Sequence, residues 1–259
     1  MSDEMGLITT SQDKGILRIG IQRPEKLNAL TLAMYDAMTA ALESAEQDDQ
    51  IRVILLHGTE SCFTSGNDLR DFAKNPPAGE NSPVFRFLRA ISQAKKPVIA
   101  MVRGAAVGIG TTMLLHCDLV YADETARLRL PFVNLGLCPE AASSYLLPKL
   151  VGHLRASEIL LLGETIDSKR ALELGLVNHV FSPPDLRDQV EVKCLQLAAQ
   201  PAASVRLTKS LLKKNQAQQV AEVMGEEGEL FLHQLAKPEA QEAINAFIEK
   251  RKADFSQFS

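Results

Sequence analysis

The chain has 259 residues, of which 46% are hydrophobic and 23% charged, and its formal net charge is -4 at pH 7. This length and apolar content are sufficient for one large domain with a sizeable core, or for one domain with an appendage. The composition excludes the concentrated Lys/Arg stripe of a nucleic-acid binder and suits a small-molecule ligand. No apolar run approaches the roughly 20 residues that cross a bilayer, so we expect no membrane partner.

Targeting signals and metal-ligand patterns are absent from the sequence. Residues 1–6 lack the basic-then-apolar pattern of a signal segment, and residues 257–259 are not the peroxisomal tripeptide. The four cysteines are scattered without a CxxC pair, which favours reduced thiols over disulfides. The five histidines fall in unrelated contexts, which indicates neither a metal cluster nor a catalytic triad. We therefore expect a cytoplasmic protein without a metal site.

The first two-thirds of the chain alternates strand and helix patterns. Residues 16–21 predict a strand, and Thr31 is a suitable N-cap for a helix that ends near Gln47. Residues 51–56 and 97–102 are apolar runs that each stop near a glycine, which is typical of strands buried on both faces and covered by helices.

The pattern continues with a helix from Gly110 towards Cys117 and strands at residues 118–122 and 126–130. Residues 73–83 are rich in Pro, Gly, Asn and Ser, which predicts a mobile loop.

The last part of the chain has a helical pattern. The predicted helices cover residues 185–199, 202–214, 220–236 and 238–254. We place a boundary at residue 198, which gives a core of residues 1–198 and a helical segment of residues 199–259. Because such a segment has one apolar face and no core of its own, it should pack on the body or on a neighbouring subunit.

Two glycine-bearing loops follow apolar strands, at residues 63–69 and 104–110. Glycine lets the backbone approach a ligand closely, and the start of a helix leaves N–H groups unpaired. Two such N–H groups that converge on one point would make an oxyanion hole, but an ordinary turn followed by a helix has the same pattern. The second loop lacks the lysine of a phosphate-binding loop.

Two charged features leave alternatives open. Glu140 lies in an otherwise apolar stretch, either as a functional carboxylate or as a first-turn glutamate stabilised by the helix dipole. Residues 250–252 (KRK) form a basic cluster on the last predicted helix. They are either a solvated helix end or a contact for phosphate groups.

Taken together, these segments resemble the enoyl-CoA hydratase/isomerase (crotonase) superfamily, in the family's order and over nearly the whole chain. The matching segments are residues 23–30 (RPEKLNAL), 65–69 (SGNDL), 108–118, 163–177 and 247–252 (FIEKRK). The resemblance implies an α/β fold, a spiral of ββα turns that ends in an α-helical trimerisation segment. It also implies a homotrimer or a dimer of trimers.

Carried over residue by residue, the resemblance implies an acyl-CoA site. The main-chain N–H groups of Asn67 and Ile109 would form the oxyanion hole. Substrate and CoA would contact Lys26, Leu27, Ala29, Ser65, Gly66, Asn67, Asp68, Leu69 and Gly108, and Lys250 would reach CoA phosphates of a neighbouring subunit. Coenzyme A is part of the substrate, so no separate cofactor is expected.

The departures from the family indicate which reaction to expect. Hydratases of this family carry two glutamates, and the corresponding positions here are Thr112 and Phe132. Adding water to a double bond requires a base and an acid, so hydration should be severely impaired. Residues 139–145 (PEAASSY) are similar to the Δ3,Δ2-enoyl-CoA isomerase branch, in which Glu140 would be the single catalytic base. Thioester hydrolysis, decarboxylation, residual hydration and a non-catalytic acyl-CoA binder remain alternatives.

Overall fold

The computed structural model describes residues 6–75, 79 and 81–258, which form two sheets covered by helices. The strands are Ile8–Asp13 (β1), Ile16–Ile21 (β2), Val53–His57 (β3), Cys62–Thr64 (β4), Val98–Val102 (β5), Ala105–Val107 (β6), Leu119–Asp123 (β7), Arg127–Arg129 (β8), Thr165–Asp167 (β9) and His179–Phe181 (β10). The helices are Leu32–Gln47 (α1), Leu69–Lys74 (α2), Pro83–Gln93 (α3), Ile109–Thr112 (α4), Ser143–Val151 (α5), His153–Leu162 (α6), Ser168–Glu173 (α7), Leu186–Ala198 (α8), Ala202–Lys214 (α9), Ala217–Leu235 (α10) and Pro238–Glu249 (α11). Short 3₁₀ turns cover Pro24–Lys26, Met113–His116 and Val133–Leu135.

The chain alternates between the two sheets. One sheet has the order β1-β2-β3-β5-β7-β10 and the other β4-β6-β8-β9. Each central unit of the chain gives one strand to the first sheet, the next strand to the second sheet, and then a helix: β3 and β4 precede α2, and β5 and β6 precede α4. Equivalent strands of successive units pair in parallel, β3 with β5 and β4 with β6. The predicted α/β spiral of ββα turns is therefore confirmed.

The central strands are buried on both faces, as their apolar runs predict. Alternate residues of β3 belong to different hydrophobic clusters, with Ile54 in the main core and Leu55 in a smaller cluster. Helix α8 covers the smaller cluster with Leu186 and Val190. Side chains of successive strand residues point to opposite faces, so both faces of the sheet require a helical cover.

Several elements differ from the sequence predictions. The strand predicted at residues 51–56 begins at Val53, and the helix predicted from Gly110 begins one residue earlier, as the short α4. In the loop predicted at residues 73–83, α2 extends to Lys74, and residues 76–78 and 80 lie outside the described residues. The last predicted helix was too long, because Lys250 adopts a left-handed conformation (φ 57°) that ends α11. The basic cluster therefore follows the helix instead of lying on it.

The helices after residue 198 pack on the body of the molecule. Met224 and Phe231 of α10 belong to the main core, and the ring of Phe231 meets the edge of Phe72 on α2 at a centroid distance of 6.2 Å. The predicted boundary falls at the end of α8 and stays a prediction. In the described part of the chain, no helix combines the length and the apolarity that a membrane crossing requires.

Candidate active site

The two glycine loops lie side by side because the strands before them pair in parallel. Strand β4 pairs with β6, with Cys62 opposite Ala105 and Thr64 next to Ala106. A Cβ atom on Gly66 would lie 2.7 Å from the carbonyl oxygen of Val107, and Gly66 has a positive φ of 92°. Only glycine fits this approach without strain, so residue type and strand pairing together fix how closely the loops meet.

Each loop presents an unpaired main-chain N–H group. The Leu30 N–H donates to the Gly66 carbonyl oxygen at 2.8 Å, and the Asp68 N–H donates to the Leu30 carbonyl oxygen at 2.9 Å. The N–H of Asn67, between these two bonded residues, points away from Leu30. Ile109 is the first residue of α4, after Gly108 with its φ of 57°. Within residues 6–75, 79 and 81–258, neither N–H group has an acceptor. Paired free donors of this kind can bind a carbonyl oxygen that becomes negative.

The side chain of Asn67 is held from behind by helix α1. The hydroxyl of Tyr35 donates to Asn67 Oδ1 at 2.5 Å, and Tyr35 is fully buried. Burial and the nearby charge of Glu140 raise the pKa of Tyr35, so the phenol keeps its proton. Asn67 is 32 residues away from Tyr35 in the chain, so no local sequence pattern indicates this contact.

Glu140 is a buried carboxyl with one bonded and one unbonded oxygen. Its side chain is 7% exposed, and the hydroxyl of Thr112 donates to Oε1. Oε2 is buried and has no hydrogen-bond partner among the described residues. Thr112 follows Ile109 by three residues, so the hydrogen-bond partner of Glu140 and the free N–H of Ile109 belong to the same short helix, α4.

The surroundings of Glu140 favour its neutral form. Burial raises the pKa of Glu140 to about 8; the Thr112 hydroxyl opposes this rise, and the charge of Glu227 adds to it. Helix α5 begins at Ser143, so Glu140 precedes the first turn. The alternative of a first-turn glutamate stabilised by the helix dipole is therefore wrong.

The turn after Glu140 has an uncommon backbone. Ala141 and Ala142 have positive φ values of 62° and 54°, a conformation that costs roughly 1 kcal/mol or more for each residue with a Cβ. His116 Nε2 lies 2.8 Å from the Ala141 carbonyl oxygen. Burial lowers the pKa of His116 to about 4, so the ring is neutral and Nε2 is the donor. Glu227 of α10 accepts from the Ser144 N–H at 2.8 Å.

The residues carried over as CoA contacts are mostly together. Ser65 N–H donates to the Leu27 carbonyl oxygen at 3.0 Å, which ties the strip of Lys26, Leu27 and Ala29 to the first loop. Asp68 has a structural role, because it caps α2 and pairs with Arg23 at 2.7 Å. Leu69 begins α2, and Lys26 and Leu27 are exposed.

The basic side chains of residues 250–252 differ in whether they form ion pairs. Lys250 is exposed and makes no ion pair or side-chain hydrogen bond to another described residue. Arg251 instead pairs with Glu242 and with Glu249, the latter at 2.6 Å. Whether the cluster meets phosphate groups stays a prediction.

No group of three or more His, Cys, Asp and Glu side chains could hold a metal ion in the part of the chain that the structure describes. All four cysteines are free thiols. Sequence reasoning missed Tyr35, His116 and Glu227 as parts of the site. Each is an ordinary residue in its own segment, and only the fold brings it to the turn or the loops.

Known proteins resemble this chain over nearly its whole length. A family model described as enoyl-CoA hydratase/isomerase matches residues 11–258. Enoyl-CoA delta isomerase 2 of Rattus norvegicus is 34% identical over 255 residues, 96% of this chain and 65% of that protein. The 2,3-dehydroadipyl-CoA hydratase of Escherichia coli K12 is 34% identical over 256 residues, 97% of this chain and 99% of that protein. The crystal structure of an enoyl-CoA hydratase/isomerase from Pseudoalteromonas atlantica T6c has a TM-score of 0.91 at 42% identity, with 96% of this chain and 99% of that chain covered.

These comparisons limit what identity alone can decide. The chain spans 65% of the length of the rat relative, so the activity of that whole protein is not transferred by similarity. An isomerase and a hydratase are equally similar to this chain, at 34% identity each. The choice between the two reactions therefore depends on the residues of the site.

Proposed function

The chain belongs to the enoyl-CoA hydratase/isomerase family, and on that premise we propose that it is a Δ3,Δ2-enoyl-CoA isomerase with Glu140 as its single base. The observation that carries the proposal is the Glu140 carboxyl, buried beside the loops with Oε1 held by Thr112 and Oε2 unbonded. An unbonded, desolvated oxygen of this kind is suited to take a proton from carbon.

The proposed reaction uses the two loops and one carboxylate. The thioester oxygen of a 3-enoyl-CoA accepts hydrogen bonds from the N–H groups of Asn67 and Ile109. Glu140 removes a proton from C2, and the negative charge of the resulting dienolate collects on the thioester oxygen, where the two donors stabilise it. The protonated carboxyl then returns the proton to C4, which leaves the double bond between C2 and C3. No proton is gained or lost overall.

The pKa of Glu140 supports this role. A base is most effective when its pKa lies near the working pH, and a pKa of about 8 is far better matched to carbon acid chemistry than the ordinary value of 4.5. The Glu140 carboxyl must both take and return the proton, which requires that its protonated form be stable near neutral pH. A fully ionised, solvent-exposed glutamate would be a weaker base.

The test is Glu140→Gln assayed with a panel of 3-enoyl-CoA esters at the absorbance of the conjugated thioester. Loss of a general base lowers the turnover number by roughly 10²–10⁴-fold, and we expect a loss in this range with little change in KM. The matched control is Glu226→Gln, an exposed glutamate on α10. Near-normal turnover of the Glu140 variant would show that another group is the base.

Hydration is the second candidate, because the Escherichia coli relative of equal identity is a hydratase. At one of the two hydratase glutamate positions this chain has Thr112, and its hydroxyl is occupied by Glu140. Crotonyl-CoA offered in the same assay separates the reactions, since hydration removes the conjugated absorbance that isomerisation creates. Brisk hydration would overturn the argument from Thr112 and Phe132.

The proposal includes the binding and assembly of the molecule. The CoA arm would run along Lys26, Leu27 and Ala29 beside the first loop, in contact with Ser65 and Gly108. We further propose a homotrimer or a dimer of trimers, in which Lys250 meets the CoA phosphates of a neighbouring subunit. The exposed leucines on α9 support such contacts: Leu207, Leu211 and Leu212.

A further inference from the structure

Helix α10 brings a second buried carboxyl to the turn that carries Glu140. Glu227 is 6% exposed, although it belongs to the helical segment after residue 198. Its Oε1 accepts from the Ser144 N–H at 2.8 Å, and its Oε2 is buried without a partner among the described residues. Carboxylates are rarely this buried unless they have a specific role, and the proposed reaction does not use this one.

Packing fixes Glu227 in this position. Its neighbour Gly228 lets α10 approach α3 closely, because a Cβ there would lie 2.8 Å from the Phe85 ring. Phe231, one turn further along α10, lies against Phe72. The carboxyl of Glu227 is therefore held by a rigid helix and not by a flexible loop.

The groups that Glu227 binds belong to the strained turn. Ala141 and Ala142 have left-handed backbones, and the N–H groups that follow them open helix α5. Burial raises the pKa of Glu227, and hydrogen bonds from Ser144 and from the N–H groups of residues 142 and 143 oppose this rise because they stabilise the charged form. These hydrogen bonds offset part of the strain of the left-handed residues Ala141 and Ala142 in the turn that carries Glu140.

We propose that Glu227 is a positioning residue for Glu140: its carboxylate anchors the main-chain N–H groups of the 142–144 turn and keeps a second negative charge close to the base. The inference rests on the proposed function, since it assigns Glu227 to the same base. Its role is indirect, because Glu227 acts through the turn and through its charge without touching the substrate.

Other titratable groups also lie around the pair. Burial and the nearby carboxylates raise the pKa values of Tyr35 and Cys138. Burial lowers the pKa of His116 to about 4, and Lys213 donates to the His116 carbonyl oxygen at 2.8 Å. These groups are the same in the wild-type protein and in the Glu227 variants, so a difference in the Glu140 titration between them reports on Glu227.

Two variants of Glu227 separate its two effects. Glu227→Gln keeps an oxygen acceptor for the Ser144 N–H but removes the charge, whereas Glu227→Ala removes both. Glu226→Gln on the same helix is the matched control. The readouts are kcat and KM on a 3-enoyl-CoA, and the titration of Glu140 followed by ¹³C NMR of protein with glutamate labelled at the carboxyl carbon. The Glu140 signal is assigned by its loss in Glu140→Gln.

We expect the pKa of Glu140 to fall by at least about half a pH unit in Glu227→Gln, because a like charge has been removed. In Glu227→Ala we expect kcat to fall by about thirtyfold or more with little change in KM, because the base is misplaced. An unchanged Glu140 titration in Glu227→Gln overturns the inference, as does a normal kcat in Glu227→Ala. If Glu227→Ala does not fold, the Gln variant decides alone. A failure of the proposed function gives a different result from a failure of this inference. In that case the wild-type protein lacks isomerase turnover, and the Glu140 titration still shows whether Glu227 acts on Glu140.

Discussion

The loops that carry Asn67 and Ile109 are fixed largely through the main chain, whereas the turn that carries Glu140 is held by side chains from other elements. Strand pairing between β4 and β6 and the bonds of Leu30 fix the loops. Thr112, His116 and Glu227 fix the turn from two different helical regions. The two donors of the loop region are main-chain groups, so replacing the side chain of Asn67 or Ile109 leaves them in place, while the turn region depends on its buried polar partners.

The two regions should also respond differently to pH. The loops bind through N–H groups that do not titrate, so their stability is the same across the neutral range. The turn encloses a carboxyl whose folded-state pKa of about 8 lies well above its ordinary value of 4.5. Only the turn region should therefore make folding sensitive to pH between these two values.

The largest effect that we expect is on the free energy of unfolding of Glu140→Gln. Below about pH 4.5 the carboxyl is protonated in both states. Above that value the unfolded chain releases its proton while the folded protein keeps it until about pH 8, so the contribution of Glu140 to wild-type stability falls with rising pH. Gln does not titrate, so the variant should exceed the wild type by on the order of 3–5 kcal/mol at pH 8, and by far less at pH 5.

Denaturant unfolding of both proteins at several pH values measures this difference. Glu226→Gln, at an exposed position on α10, controls for the loss of a surface charge. A stability difference that is constant between pH 5 and pH 8 would mean that Glu140 titrates as an ordinary solvated glutamate. The contrast between the two regions would then lose its electrostatic basis.

The next effect is expected from Gly66→Ala in the loop region. The new Cβ would lie 2.7 Å from the Val107 carbonyl oxygen on a backbone with a φ of 92°. Strain and overpacking should together destabilise the protein by roughly 2–4 kcal/mol. The N–H of Asn67 would also shift, and loss of an oxyanion donor lowers turnover by roughly 10²–10³-fold.

Thermal unfolding and turnover on a 3-enoyl-CoA test the Gly66 variant together. The control is Gly225→Ala on α10, where a Cβ would meet nothing within 4 Å, and where Ala should be neutral or stabilising. If Gly66→Ala keeps wild-type turnover, the closeness of the two loops is not needed for catalysis.

The same difference between the regions explains what the sequence could predict. The apolar runs that contain β3 and β5 and the glycines after β4 and β6 are local signals, so the buried strands and the glycine loops could be located from the sequence, while the spiral of ββα turns was implied by the resemblance. The strands β4, β6, β9 and β10 have three residues each and are too short to show a period, and among the three-residue strands described only β8 was part of a predicted run. The end of α11 depends on a single left-handed residue, which no pattern indicates.

The turn region could be predicted only through the resemblance. Glu140 was identified by its similarity to the isomerase branch, and its burial agrees with its apolar neighbours in sequence. Glu227 lies in an amphipathic helix with many other glutamates, and no local feature distinguishes it. Tyr35 likewise fits the apolar stripe of α1. Contacts between residues so distant in the chain depend on tertiary packing, so the roles proposed for these residues depend on the structure.

The smallest effect that we expect comes from Tyr35, which connects the two regions. Its hydroxyl bonds to Asn67 Oδ1 at 2.5 Å on the loop side, and its pKa is raised by burial and, on the turn side, by the charge of Glu140. Tyr35→Phe removes one hydrogen bond of about 1 kcal/mol and leaves the ring packed against Phe87, at a centroid distance of 5.6 Å. Because the Asn67 N–H remains in place but is less firmly held, we expect kcat to fall by about threefold to tenfold with KM unchanged.

Tyr121→Phe, in the smaller core cluster away from the site, should keep wild-type kcat. A loss of kcat above a hundredfold in Tyr35→Phe would mean that the phenol itself takes part in the proton transfer. The main-chain N–H groups would then not be the only groups of the loop region that stabilise the reacting substrate.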